Sequence, residues 1–560
     1  MYKLCILSFL YCMLSGCKEN ENPDLIVYNA VVYTADSIKP TVEAFSIKNG
    51  KILETGHYEW IIKSKGNKTQ LIDAKGRFIM PGLYEGHGHL LSLGSSLYNI
   101  DLLDVKSWDE LVQKVKSSLD TIPPGIWIEG RGWHQDKWHS KLFQTFNGYP
   151  YHDELSKISP NHPIVLYHAS GHALLANQKA MDLAGIGAES QAPSGGRIVR
   201  DPNGKLTGIF EENAMDIISQ NLDESKNNLP DSVSLKLKQA KLSLACNEAI
   251  KYGITSFQDA GTNYEDLVWL HEMSRKGLIP IRLNLMMYED ISKIFHKMDS
   301  MPIRSYDESM FRSKAIKAYM DGALGSYGAW LWDDYVDNPG VKGQTLVPVE
   351  KLDALAAKAK KSNLQLCVHA IGDRANHEVL QIFKNNGVSA SDRWRIEHAQ
   401  HLDTTDLPLF KELGVIASMQ AIHCISDAPF VEKRLGKERA QSGAYIWRKL
   451  LNKGIHFANG TDVPVERINP FDCIYASVTR KRIDSGFEFY PDQKLTRDEA
   501  LKSYTIWNAY ASFDEQIKGS ITPGKFADFI ILNRNLLTCT DEEILNTKVE
   551  AVYINGLRIK

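Results

Sequence analysis

From residue 77 onward the chain alternates short apolar runs with longer amphipathic stretches. The runs fall near residues 77–87, 254–259, 280–287, 313–320, 364–369, 393–398, 414–419 and 455–460, eight in all. Strands that alternate with helical segments predict a parallel sheet, and eight of them predict an α/β fold closed as a (β/α)8 TIM barrel. The two ends of the chain have a different texture. Residues 25–30 and 44–53, then 527–532 and 551–558, are β-rich and punctuated by turns. They predict a small β-sandwich built from both chain ends, 24–80 with 511–560, around a barrel domain at 81–510. Between the first two barrel strands lie about 150 residues, roughly 97–250. A loop of that size must carry structure of its own, so an inserted subdomain is expected after strand 1. Insertions after barrel strands overhang the active-site face, which makes His172 and Glu212 candidate substrate-binding residues. His168 and His172 also suit packing inside the subdomain.

The N-terminus stands apart from this pattern. Met1-Tyr2-Lys3 is a brief basic start, and residues 4–14 form an apolar run of signal-peptide length, too short to span a bilayer. It ends in Leu14-Ser15-Gly16-Cys17, which resembles a bacterial lipobox. The resemblance implies cleavage before Cys17 and lipidation of that cysteine, with residues 18–23 as a polar tether. The expectation is an exported lipoprotein of the cell envelope, on the periplasmic or surface face of the outer membrane, touching membrane only through its lipid anchor.

Composition narrows the class further. The net charge of −3, with both signs interspersed, shows no nucleic-acid footprint. Beyond the signal region the cysteines are Cys246, Cys367, Cys424, Cys473 and Cys539, an odd number without paired spacing. No disulfide framework is indicated.

The candidate chemistry sits at strand ends. His87-Gly88-His89 follows an apolar run, and residues spaced i, i+2 on a strand present both rings to one side. His369, His398 and Asp462 each close another apolar run, and Lys317 lies inside the run at 313–320. Barrel enzymes collect their catalytic groups from the C-terminal ends of several strands, so His87, His89, His369, His398 and Asp462 read as metal ligands. Such N/O ligands suit zinc and also accept other divalent metals. Zinc lowers the pKa of its water to about 7, and Asp462 is placed to take that proton and pass it to a leaving nitrogen.

Lys317 divides the possibilities. An amine among apolar residues loses proton affinity, and a neutral amine can add carbon dioxide to give a carbamate that bridges two metals. The other reading pairs Lys317 with a nearby carboxylate such as Asp321.

Several stretches together resemble the metal-dependent amidohydrolase superfamily, in the branch of N-substituted formamide deformylase-like proteins. They are Pro81-Gly82-Leu83 with His87-Gly88-His89, Ser170-Gly171-His172-Ala173 with Asn177, Asp321-Gly322-Ala323-Leu324-Gly325-Ser326, His369-Ala370-Ile371-Gly372-Asp373-Arg374-Ala375, Ile396-Glu397-His398-Ala399-Gln400 and Gly460-Thr461-Asp462-Val463-Pro464-Val465. The resemblance covers nearly all of the mature chain. It implies hydrolysis of amide-like C–N bonds of a small molecule and two zinc ions bridged by carboxylated Lys317. Two departures stand out. Glu85 replaces the usual aspartate of Asp-x-His-x-His, which should loosen the hydrogen bonding behind the histidines, and Tyr327 stands where relatives commonly carry arginine. Asp321 and Trp330, the latter in the aromatic loop 330–335, join the candidate substrate contacts. The alternatives are a mononuclear deaminase-type hydrolase with a structural Lys317, and a lipoprotein that binds a ligand without catalysis. Oligomeric state is open, with a homodimer among the options.

Overall fold

In the computed structural model, residues 22–560 are described except 103–104, 120–121, 134, 136–137, 139–144, 147, 169–172, 194–195, 304–308 and 326. Eight parallel strands form the central sheet: β1 (Leu83–Gly88), β2 (Ile254–Thr262), β3 (Arg282–Met287), β4 (Phe311–Tyr319), β5 (Gln365–Ala370), β6 (Arg395–His398), β7 (Ile416–Met419) and β8 (Phe457–Asn459). Each pairs with its sequence neighbour from β1 through β8. Most of their residues are buried, as expected of parallel strands covered on both faces.

No ladder joins β8 to β1 among the described residues. The barrel is closed there by side chains. Asn508 Nδ2 donates to Tyr84 O at 2.6 Å and to Asn459 O at 2.7 Å, while Asn459 N donates to Asn508 Oδ1 at 3.1 Å. Closer to the site, Asp462 N donates to His87 O at 2.7 Å. One asparagine thus satisfies buried backbone groups that a ladder would otherwise pair.

The run expected as a single strand at 77–87 is two. Phe78–Pro81 belongs to the end sheet, and the barrel strand begins after Gly82. A Cβ on Gly82 would lie 2.2 Å from Thr255 Oγ1, so only glycine lets the chain pass from one sheet to the next.

Both chain ends meet as the sequence predicts. A six-stranded sheet takes Leu557–Arg558, Val549–Ile554, Phe529–Leu532, Phe78–Pro81, Val31–Tyr33 and Thr41–Val42 in that order. A four-stranded sheet takes Lys51–Gly56, Ala44–Lys48, Leu25–Tyr28 and Gln70–Asp73. Val27, Phe45 and Ile47 of one sheet pack with Ile79, Phe529 and Tyr553 of the other in one core.

The insertion has its own mixed sheet, running from Gly196–Arg200 to Ile100–Asp101, with separate cores of its own. Helix Asp231–Lys251 lies outside it. Leu242, Ala245, Cys246, Ala249 and Ile250 of that helix join the barrel core, so it is part of the barrel's outer layer. Cys246, Cys367, Cys424, Cys473 and Cys539 are free thiols.

Candidate metal centre and active site

The strand-end histidines converge. His87 near the end of β1, His398 at the end of β6 and Asp462 just beyond β8 bring one ligand atom each within 4.8 Å of one another, all buried. Asp462 Oδ1 lies 3.5 Å from His87 Nε2 and 3.2 Å from His89 Nε2. The His369 ring, from β5, sits 4.4 Å from that of His398. His398 and Asp462 both hold positive φ, 75° and 57°. Such conformations cost non-glycine residues free energy and persist where the surroundings fix them.

The chemistry of this donor set fits a divalent metal. His87 Nε2 and His369 Nε2 are buried with no hydrogen-bond partner among the described residues, an arrangement that is costly unless something else takes the lone pair. Burial, reinforced by the Lys317 charge, lowers His87 to about 4 and His369 to about 3, and burial holds His398 well below its ordinary range. All three are therefore neutral and ready to ligate at pH 7. Burial alone would raise Asp462, but the hydrogen bond from His89 outweighs it and holds the carboxylate well below its ordinary range.

The groups behind the ligands fix which nitrogen faces inward. His87 Nδ1 donates to Glu397 Oε2 at 2.5 Å. A carboxylate can only accept, so the proton sits on Nδ1 and Nε2 is left for a metal. Arg395 Nε and Nη2 donate to Glu397 at 2.6 and 2.9 Å, and the same guanidinium reaches Gln258, Gly86 O and Ser418 Oγ. Burial would raise Glu397, yet Arg395 beside it holds it well below the usual carboxylate range. His398 Nδ1 donates to Gln420 Oε1 at 2.7 Å, whose amide nitrogen is committed to Ser418 O.

Glu85 does not loosen this framework, contrary to the sequence expectation. Its Oε1 accepts from His87 N at 3.1 Å and Thr461 N at 2.8 Å, and its Oε2 accepts from Thr461 Oγ1 at 3.0 Å. The longer side chain spans from β1 to the loop that carries Asp462. Gly460 is needed for the same approach, since a Cβ there would lie 2.4 Å from Glu85 Oε1 and 2.5 Å from His87 N.

Lys317 is buried in β4, only 1% exposed. Among the described residues it has no ion pair within 4 Å, and its Nζ stands 4.7 Å from the Tyr319 ring centroid. Burial lowers the amine's pKa, offset in part by the more distant Glu397 and Asp462. The suggested pairing with Asp321 does not form. Asp321 instead accepts from Trp330 N, Ile371 N and Gly372 N at 2.8–2.9 Å.

That finding also corrects the substrate role expected of Asp321. A carboxylate with no exposed surface and three amide donors is a strut between the aromatic loop and the end of β5. Trp330 is half-buried, with the Arg374 guanidinium 4.2 Å from its ring centroid. Tyr335 of the same loop is packing, its hydroxyl donating to Ala329 O. His172 lies outside the described residues. Glu212 ends strand Leu206–Glu212 of the insertion, and its side chain lies outside what is described. His168 packs edge-on against Trp133 inside the insertion.

Sequence reasoning missed His423. It stands in the first turn of helix Ala421–Leu435, its Nδ1 paired with Gln400 Nε2 and its Nε2 3.9 Å from Asp462 Oδ2, with no hydrogen bond to that nitrogen among the described residues. The strand-end rule that found His369 and His398 stops at Met419 and Gln420 on β7, and His423 lies beyond it in the following helix.

Fold and centre together define a barrel hydrolase of the metal-dependent type. The sequence profile of the amidohydrolase family matches residues 70–559, and the chain belongs to that family. It is 32% identical to Protein LONG AFTER FAR-RED 3 of Arabidopsis thaliana over 96% of this chain and 91% of that one. It is 26% identical to the N-substituted formamide deformylase of Arthrobacter pascens, over 95% and 98%. A crystal structure of an uncharacterized metal-dependent hydrolase from Pyrococcus horikoshii superimposes with a TM-score of 0.74 at 27% identity, over 92% of this chain and 99% of that one.

Proposed function

We propose that this hydrolase cleaves the C–N bond of a small N-acyl or N-formyl compound at a two-zinc centre bridged by carboxylated Lys317, and that Cys17 carries a lipid anchor. The observation that carries the reading is Lys317: a buried amine with no ion pair within 4 Å among the described residues, in the field of Glu397 and Asp462 and beside His87, His369 and His398. A neutral amine attacks the carbon of carbon dioxide and gives up one proton, leaving a carbamate with two oxygens to share. His87 and His89 with Asp462 would hold one ion, and His369 with His398 the other. A divalent ion there supplies a Lewis acid and a water acidic enough to ionise near neutrality. Asp462, ionised and buried, would accept a proton from such a water and return it to the departing nitrogen, so that amide and water become acid and amine. Glu397 keeps the His87 proton on Nδ1 throughout. The similarity to a formamide deformylase supports the substrate class.

Elemental analysis of the purified protein, grown with zinc and bicarbonate and kept free of chelators, tests the reading. About two metals per chain in the wild type and loss of one in Lys317→Ala support it. One metal in both, with activity surviving the substitution, favours the mononuclear deaminase-type site. That alternative has its own observation, since one ligand atom each of His87, His398 and Asp462 lie within 4.8 Å of one another, close enough to share a single ion.

A further inference from the structure

We infer that the exposed segment at residues 57–68, a short helix and the turn after it, is a bilayer-facing surface, which seats the anchored enzyme on an anionic phospholipid membrane. The inference rests on the proposal that Cys17 carries the lipid. Four residues lie between Cys17 and Asn22, and the five residue steps from one to the other span about 17 Å even when fully extended. Whatever surface surrounds Asn22 must therefore lie within that distance of the lipid headgroups.

The structure fixes that surface. Pro23 O accepts from Thr69 Oγ1 at 2.6 Å, and a Cβ on Gly66 would lie 2.5 Å from the Asn22 side chain. The tether thus leaves the fold at the turn 62–69. This turn follows helix Tyr58–Ile61, which covers the outer face of the four-stranded sheet through Ile61 against Ile26 and Ala44. That face is the one turned away from the six-stranded sheet and the barrel, because Val27 and Phe45 point the other way into the sandwich core.

Its residue types suit a headgroup layer. Trp60 is 64% exposed, Tyr58 38%, and Leu71, on the Ile26 side of its strand, 40%. Large aromatics are costly to leave in water but settle well at a membrane interface, where an apolar ring meets a polar rim. Lys63, Lys65 and Lys68 are all exposed and make no ion pair among the described residues, against two carboxylates on this face, Glu59 and the Glu43 that lies 3.3 Å from His57. Lys63 follows Trp60 by three residues, so both lie on one side of the turn. Each lysine near an anionic surface strengthens apposition about five-fold. This is too weak to bind the protein unaided but sufficient to orient a chain already tethered.

The test uses the full chain reconstituted into phosphatidylcholine vesicles with or without phosphatidylglycerol, carrying brominated lipid as a contact quencher of tryptophan. Trp60→Phe isolates the contribution of Trp60. We expect a quenching component in anionic vesicles that Trp60→Phe removes, and that the combined Lys63→Glu, Lys65→Glu and Lys68→Glu variant reduces to the level of neutral vesicles. Hydrolytic activity stays unchanged in both variants. Mass spectrometry showing no acyl chain on the N-terminal fragment overturns the anchor and this inference with it. An acylated, vesicle-bound protein whose quenching is the same in wild type and Trp60→Phe overturns the inference alone. Protection of Trp60 from iodide in lipid-free detergent, with doubled mass by light scattering, assigns the face to a second copy and also overturns it.

Discussion

Glu397→Gln separates the support of His87 from the bare presence of a ligand. The substitution keeps the side chain's shape and removes its charge. In the wild type the carboxylate receives three charge-assisted or imidazole donors, from His87 Nδ1 and from Arg395 Nε and Nη2. A glutamine offers one accepting oxygen, and its amide nitrogen must then face a donor, whichever way it turns. Breaking one side of a buried ion pair costs about 3–5 kcal/mol. Arg395 retains Gln258, Gly86 O and Ser418 Oγ as acceptors, so the lower end, about 3 kcal/mol, is expected. Metal affinity should fall separately, by about 10–100-fold, as imidazoles lose the partner that fixes their tautomer. Chelator competition measures the second effect, and denaturant unfolding of the metal-free protein measures the first. A variant that loses stability but binds metal as tightly as wild type would show that Glu397 serves Arg395 only. A variant unchanged in both refutes the reasoning.

Four further outcomes are expected. Asn508→Ala removes two donors and one acceptor at the β1–β8 seam, and denaturant unfolding should show a loss of about 3 kcal/mol at about 1 kcal/mol per bond. Gly460→Ala should push Glu85 and the His87 backbone apart and lower metal content measured by elemental analysis, while a Gly56→Ala control, whose Cβ meets nothing within 4 Å, leaves it intact. His423→Ala should lower kcat by about 100-fold with metal content unchanged, as expected for a group that assists proton transfer at Asp462. Acid should weaken the Arg448–Glu499 pair in a defined window. Hydrogen bonding from Arg448 depresses Glu499 to about 2 from an ordinary 4.5, so its stabilisation is full above pH 4.5 and is lost as pH falls toward 2. An Arg448→Ala variant should show less acid sensitivity there by thermal unfolding.

The parts of the centre that lie at the ends of apolar runs were legible in the chain itself. His87, His89, His369, His398 and Asp462 each terminate a run whose period and length already call for a strand, and a closed parallel barrel leaves such termini only one place to meet. Lys317 was legible as an oddity, a charge inside an apolar run. Its lack of a partner was not, because Asp321 lies four residues away in sequence while its carboxylate turns to backbone amides of the aromatic loop and the end of β5. Arg395 and Glu397 look like ordinary alternation along β6. Only closure of the barrel shows that they face His87, contributed by a strand about 300 residues earlier. The division of 77–87 at Gly82 and the sealing of β1 to β8 by Asn508 belong to the same class. Local pattern determines which segments become strands and which side chains end them, because those depend on neighbours within a few residues. Hydrogen-bond partners across the barrel depend on which distant backbones come within 3 Å, and packing alone decides that.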